Sequence, residues 1–147
     1  MLSDILWPRQ ASLIVISDAH LKSTSDQYGV LLKELLKSLP AAKPDCLVLL
    51  GDIFDFTLGS NRFFREKFQE VGKLLTAIHA AGTRIIFLEG NHEFDMARHG
   101  WSGVECFSER LYPLMLRRGE RVLLSHGDGI CAPRRYHIFR RIVRSPL

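Results

Sequence analysis

Three short apolar runs constrain the fold of this chain more than any other feature. They cover residues 11–17, 46–50 and 83–88 and are rich in leucine, isoleucine and valine. Runs of this length without polar alternation are typical of strands buried on both faces of a sheet. The segments between them have helical spacing. Alternating strands and helices predict an α/β fold with a parallel sheet and right-handed crossovers.

The two intervening segments are predicted to be helices. In the first, residues 23–26 favour a helix start, leucines recur at helical spacing from Leu31 to Leu39, and the helix is expected to end at Pro40. The second is predicted to be one helix over 61–81, because its apolar residues form a single stripe. The stripe consists of Phe64, Phe68, Val71, Leu75 and Ile78.

The pattern changes after Trp101. Residues 111–116 and 121–125 are predicted to pair as a hairpin around Gly119. The basic stretch 134–144 is predicted to be helical. We expect it to be a solvated face, or else to contact substrate phosphates or an acidic membrane surface.

Length and composition limit the class of protein. A chain of 147 residues with 46% hydrophobic and 24% charged residues fits one soluble globular domain. A net charge of +4 suits an anionic partner but is too modest to indicate nucleic acid. Three widely separated cysteines give no disulfide framework, and neither a signal peptide nor a membrane-spanning run is recognised. We expect a cytoplasmic protein, with peripheral membrane contact left open.

Residues suited to binding metal follow each predicted strand. Because strand ends in open α/β sheets meet at one crevice, we expect these side chains to converge. Carboxylate, amide and imidazole groups without thiolates favour manganese, iron or zinc, and a shared carboxylate could join two ions. The residues are Asp18, His20, Asp52, Asp55, Asn91, His92, Glu93, His126 and Asp128.

Four short motifs in this set resemble those of the calcineurin-like metallophosphoesterase family. They are Asp18-x-His20, Gly51-Asp52-x-x-Asp55, Gly90-Asn91-His92-Glu93 and His126-Gly127-Asp128. The resemblance implies an αββα sandwich that binds two divalent ions, manganese being expected and iron or zinc being alternatives.

The same resemblance implies individual roles. Asp18 and His20 would hold one ion, Asp52 would bridge both, and Asn91 and His126 would hold the second. His92 would be the catalytic acid, oriented by Asp55. Glu93 is given no role, and His99 is expected at the surface.

A further block of that family, Gly-His-x-His, does not follow His126. We therefore expect residues 1–147 to be the N-terminal part of a metallophosphoesterase domain, truncated at its C-terminus. The alternative of another class is a non-catalytic remnant that binds a metal or a partner through the same loops.

A narrower resemblance concerns the substrate. The segments 51–56 and 126–129, followed by a basic and aromatic stretch, are similar to the UDP-2,3-diacylglucosamine diphosphatases of lipid A synthesis. This implies a nucleotide-linked lipid diphosphate as substrate, with Arg134, Arg135 and Arg140 as candidate phosphate contacts. That subfamily commonly has arginine where this chain has His92. The alternative function is therefore that of a general phosphomonoesterase, phosphodiesterase or protein phosphatase. The sequence does not indicate an oligomeric state.

Asp18, Asp52, Asn91 and Asp55 have a simpler alternative interpretation. Such residues often cap helices or form turns after strands. Taken with His20 and His126, however, the set favours a metal site.

Overall fold

The computed structural model describes residues 13–108, 111–115, 119, 121–128, 135, 136, 138 and 142. The strands are β1 (Leu13–Ile16), β2 (Cys46–Leu50), β3 (Thr57–Leu58), β4 (Arg84–Leu88), β5 (Glu93–Phe94), β6 (Val104–Phe107), β7 (Tyr112–Met115) and β8 (Arg121–Leu124). The main sheet has four parallel strands in the order β1-β2-β4-β6. The two short strands β3 and β5 pair with each other in parallel, and β7 and β8 form an antiparallel hairpin.

The parallel sheet and the hairpin confirm the sequence prediction. In register, Val15 lies opposite Val48, and Val48 lies opposite Ile86. Strand β6 was not predicted, because its four residues include Glu105 and it is too short to show a periodicity. It pairs with β4 at the edge of the sheet. A bidentate ion pair also joins the two strands, with Nε of Arg84 2.7 Å from Oε1 of Glu105 and Nη2 of Arg84 2.8 Å from Oε2.

The first helix, α1 (Gln27–Ala42), is longer than predicted. It begins at Asp26, whose side chain accepts a hydrogen bond from the N–H of Gly29 at 2.7 Å. It continues past Pro40 and ends at Lys43, whose left-handed backbone lets its N–H bond the carbonyl of Leu39. A proline in the last turn removes only one backbone bond there, so the predicted end was wrong by two residues.

The prediction of one helix over 61–81 was also wrong. The segment forms two helices, α2 (Arg62–Lys67) and α3 (Gln69–Ala80), separated at Phe68. Phe68 has φ −109° and ψ 13°, outside helical values. Its ring is fully buried, with its centroid 4.3 Å from that of Phe54. The apolar stripe continues across the break because both helices face the same core, so periodicity alone could not reveal it.

The core lies on both faces of the parallel sheet. On one face the helices bury Leu36, Leu75 and Phe87, among others. On the other face the hairpin buries Leu114 and Leu124 against Val48, Ile86 and Leu88. The described residues thus form a helix layer, a parallel sheet and a second small sheet, in agreement with the predicted sandwich. Among the helices of the described part, none combines the length and apolar character needed to cross a membrane.

Candidate metal centre

The loops that follow β1, β2 and β4 are joined by hydrogen bonds at the carboxyl ends of these strands. The N–H of Asp18 donates to the carbonyl of Gly51 at 3.1 Å, and the N–H of His20 donates to that of Asp52 at 3.0 Å. The N–H of His92 donates to Oδ1 of Asp52 at 3.1 Å. The strand ends therefore converge as the parallel topology requires.

Asp52 lies at the centre of this cluster and is 4% exposed. Its Oδ2 is 3.9 Å from Nε2 of His20, 3.9 Å from Nε2 of His92 and 3.4 Å from Nε2 of His126. Two triplets of potential ligand atoms share this carboxylate, and within each triplet all the atoms lie within 4.8 Å of one another. The triplets are His20–Asp52–His92 and Asp18–Asp52–His126.

The backbone at these positions is unusual. Asp18, His20 and Asp52 have φ values of 54°, 46° and 51°, in the left-handed region that non-glycine residues seldom occupy. Such conformations cost about 1–3 kcal/mol each and concentrate at functional sites, where surrounding structure maintains them. Three residues of one cluster in this conformation are better explained by a binding site than by ordinary turns.

Backbone carbonyls orient two of the histidines. Nδ1 of His126 donates to the carbonyl of Leu50 at 3.0 Å, and Nδ1 of His92 donates to the carbonyl of Asp55. Each ring therefore directs its Nε2 toward Asp52. Metal-binding histidines usually donate their second N–H to a carbonyl or carboxylate in this way.

The electrostatics of the cluster suit a cation. The hydrogen bond to Asp52 raises the pKa of His126 to about 9 against the opposing effect of burial. Burial alone would raise the pKa of Asp52, but bonds from His126 and from the N–H of His92 outweigh it and lower that pKa. Asp52 is thus an ionised, nearly buried carboxylate, and His126 carries a proton beside it at neutral pH. When a metal ion displaces that proton, the carboxylate and the neutral imidazole form a donor set that fits manganese, iron or zinc.

Two glycines leave the room that this arrangement needs. A Cβ on Gly90 would lie 2.2 Å from Oδ1 of Asp52. A Cβ on Gly51 would lie 2.5 Å from the ring of His126, and Gly51 also has a φ of 79°. Larger residues would displace the central carboxylate or the histidine beside it.

Asn91, Asp55 and the arginines complete the set of predicted site residues. Asn91 is half-buried between Gly90 and His92. Asp55 approaches His92 through its backbone carbonyl, so the side chain does not make the orienting contact that was expected. Arg135 is exposed, and its neighbour Tyr136 donates a hydrogen bond to Asp128, two residues beyond His126. Arg134 and Arg140 lie outside the described residues.

Sequence reasoning gave Glu93 no role, yet this residue is central to the site. Its side chain is fully buried and accepts hydrogen bonds from four backbone N–H groups. Burial raises its pKa, whereas the four backbone N–H groups, which use both carboxylate oxygens as acceptors, favour the ionised form. The sequence feature that could have indicated this role is the turn at Gly51-Asp52, because the backbone N–H groups that follow such a turn need an acceptor.

The expectation that His99 is a surface residue was wrong. His99 is 8% exposed, and its Nε2 lies 3.1 Å from Oγ1 of Thr57. Burial lowers its pKa to about 4, so the ring is neutral at physiological pH. It is a packed core group below the site loops.

Comparison with known proteins agrees with this geometry. Residues 11–144 match the calcineurin-like phosphoesterase family. A UDP-2,3-diacylglucosamine hydrolase of Pseudomonas savastanoi is 31% identical over 137 residues, which cover 92% of this chain and 54% of that protein. The enzyme of the same name from Aromatoleum aromaticum is 35% identical over 141 residues, which cover 92% of this chain and 55% of that protein.

A third relative, the UDP-2,3-diacylglucosamine hydrolase of Neisseria meningitidis serogroup B, is 30% identical over 133 residues and 87% of this chain. The chain spans about half the length of these curated relatives, 53% in the neisserial case. The family match covers nearly all of the chain, and the side chains that surround Asp52 all belong to the four motifs found in the sequence. The chain therefore belongs to the calcineurin-like phosphoesterase family.

Proposed function

We propose that this chain carries the metal-binding part of a two-metal hydrolase that cleaves a diphosphate joining a nucleotide to a lipid, as in UDP-2,3-diacylglucosamine. The observation that carries the proposal is the position of Asp52, whose carboxylate is shared by two triplets of potential ligand atoms. A shared carboxylate suits a pair of ions about 3.5–4 Å apart, the arrangement used for in-line displacement at phosphorus. The names of the relatives support the substrate class.

The proposed ligands are Asp18, His20, Asp52, Asn91 and His126, and manganese is the proposed metal. Oxygen and imidazole donors without thiolate favour it. When bound, the ions supply Lewis acidity at the phosphoryl oxygens and activate the attacking water. The protein's part is to fix the donors, and the carbonyl of Leu50 does so for His126.

His92 is the proposed general acid. Because Nδ1 donates to the carbonyl of Asp55, a protonated ring directs its Nε2 proton into the cluster. The oxygen of the attacking water loses one proton to the solvent and forms the new bond to phosphorus, the bond from phosphorus to the leaving oxygen breaks, and that oxygen takes the proton from Nε2. The backbone carbonyl of Asp55 keeps the other proton on Nδ1, so the proton that His92 gives up is the one on Nε2.

The basic segment is the proposed contact for the substrate's phosphates. The hydrogen bond from Tyr136 to Asp128 links this segment to the loop that carries His126, and Arg135 is next to Tyr136 in the sequence. Arg134 and Arg140 are proposed to act with it, either on the diphosphate or at an anionic bilayer surface. Peripheral contact of a cytoplasmic enzyme with the membrane would bring it to a lipid-linked substrate.

A comparison of two substrates tests this proposal. The full-length protein, loaded with manganese, should release a phosphorylated product from a UDP-linked diacylglucosamine far faster than from bis-p-nitrophenyl phosphate. Replacing Arg134, Arg135 and Arg140 with alanine should raise KM for the lipid substrate and leave the small ester unaffected. Arg121→Ala, which removes an exposed arginine on β8, is the matched control. Equal rates on both substrates would instead favour a general phosphoesterase.

A further inference from the structure

The buried carboxylate of Glu93 joins the two loops that carry Asp52 and His92. Oε1 accepts from the N–H of Ile53 at 2.7 Å and from that of Phe54 at 3.1 Å. Oε2 accepts from the N–H of Asp52 at 3.0 Å and from that of Gly90 at 3.0 Å. One side chain therefore satisfies three successive donors after β2 and one donor after β4.

The conformation of the loop explains why these donors converge. Gly51 and Asp52 both have positive φ, at 79° and 51°. This turn directs the following N–H groups inward, and such concave sets of amides bind anions. In this protein the anion is the side chain of Glu93.

The binding is reciprocal at Asp52. Its N–H donates to Glu93, while its Oδ1 accepts from the N–H of His92 at 3.1 Å. Glu93 thus holds the backbone N–H of Asp52. The second carboxylate oxygen of Asp52, Oδ2, remains directed toward His20, His92 and His126. The strand pairing of Thr57 with Glu93 fixes the backbone of Glu93 in turn.

We propose that Glu93 is a positioning residue that holds the left-handed turn at Asp52, and with it the shared carboxylate, in the geometry that binds metal before any ion arrives. This inference rests on the two-metal function proposed above. Partners that support metal ligands typically change metal affinity about 10–100-fold when they are replaced.

The test compares Glu93→Gln with Glu89→Gln by manganese calorimetry on the full chain. Glutamine has the shape of glutamate but presents an NH2 group that cannot accept from an N–H, so part of the donor set loses its acceptor. Glu89 is the matched control. It is also buried, at 7% exposure, and like Glu93 it lies two residues from Asn91, but it accepts from the N–H of Met96 at 2.7 Å, which is not part of the turn at Asp52.

Glu93→Gln should weaken manganese binding about 10–100-fold and alter the visible spectrum of the cobalt-substituted protein, whereas Glu89→Gln should do neither. Unchanged affinity in Glu93→Gln, or an equal loss in both variants, overturns the positioning role and leaves the proposed function standing. Absence of metal binding in the unaltered protein would contradict the proposed function itself.

A measurement on the unaltered protein covers the case in which Glu93→Gln does not fold. Amide hydrogen exchange should show the N–H groups of Asp52, Ile53, Phe54 and Gly90 protected in the metal-free protein. Free exchange at these amides that ceases only on addition of zinc would mean that the ion organises the loop, and would overturn the proposal.

Discussion

Nε2 of His126 lies 3.4 Å from Oδ2 of Asp52, although the two residues follow strands of different sheets. Asp52 follows β2 of the parallel sheet, and His126 follows β8 of the hairpin. The hairpin is held on the sheet by Leu114 and Leu124. Assembly of the candidate site therefore depends on the packing of the two sheets as well as on the loops themselves.

The proposed acid role of His92 predicts a dependence on the leaving group. His92→Ala should retain both metals and lose roughly 10²–10⁴-fold in kcat, the usual contribution of a positioned acid. The loss should be greater for an alkyl phosphoester than for a p-nitrophenyl ester, since p-nitrophenolate leaves without protonation. Metal analysis and kinetics on both esters measure this.

The competing role for His92 is that of a metal ligand. Its Nε2 lies 3.9 Å from Oδ2 of Asp52, the same distance as Nε2 of His20. If His92→Ala loses metal together with activity, or loses activity equally on both esters, His92 is a ligand and not the acid. Asp55→Asn should have little effect, because the contact to His92 comes from the backbone carbonyl.

Gly90 offers a test of the space around Asp52. Gly90→Ala should lower metal affinity, because the new Cβ would lie 2.2 Å from Oδ1 and 2.6 Å from the backbone nitrogen of Asp52. Gly82→Ala is the control, since Gly82 has a φ of +103° and open space around it, so alanine there adds only backbone strain. It should cost about 1 kcal/mol or more of stability at unchanged metal affinity. Metal titration and thermal unfolding of both variants decide the matter, and normal affinity in Gly90→Ala would contradict the proposed geometry.

The first helix gives a prediction for stability. Asp26 caps α1 and also accepts from the N–H groups of Lys22 and Ser23, each at 2.7 Å. Asp26→Ala should lower the free energy of unfolding at pH 7 by about 1 kcal/mol, the usual cost of losing such a cap. Denaturant unfolding of both proteins measures the difference.

The same difference should depend on pH. Burial would raise the pKa of Asp26, but hydrogen bonds from backbone N–H groups outweigh it and hold the folded-state pKa below 3.8. The stabilisation is therefore fully present above the unfolded pKa and disappears as the pH falls through the folded value. Asp26→Asn can still cap but does not titrate, so its stability relative to Asp26→Ala should be independent of pH. A constant gap between the unaltered protein and Asp26→Ala down to pH 2 would contradict the assignment.

The sequence was sufficient to predict the parallel sheet, the hairpin and the convergence of strand-end residues. Strand length and apolar content can be read from short segments, and the arrangement of alternating strands and helices follows general rules. The break at Phe68 could not, since a stripe that faces one core continues through it. Glu93 was missed because its burial is determined by donors in another loop, at Ile53 and Phe54. The contact of His92 with a carbonyl depends on the path of the backbone at Asp55, which residue type does not reveal.

Asp52 is proposed to anchor the metal centre that hydrolyses phosphoesters. The most direct measurement is the hydrolysis of bis-p-nitrophenyl phosphate by the full-length protein and by Asp52→Ala, with bound metal determined before and after exhaustive EDTA treatment. We predict that EDTA abolishes activity, that manganese restores it in the unaltered protein, and that Asp52→Ala neither binds metal nor recovers. Activity that survives complete removal of metal, or a fully active Asp52→Ala, would contradict the account.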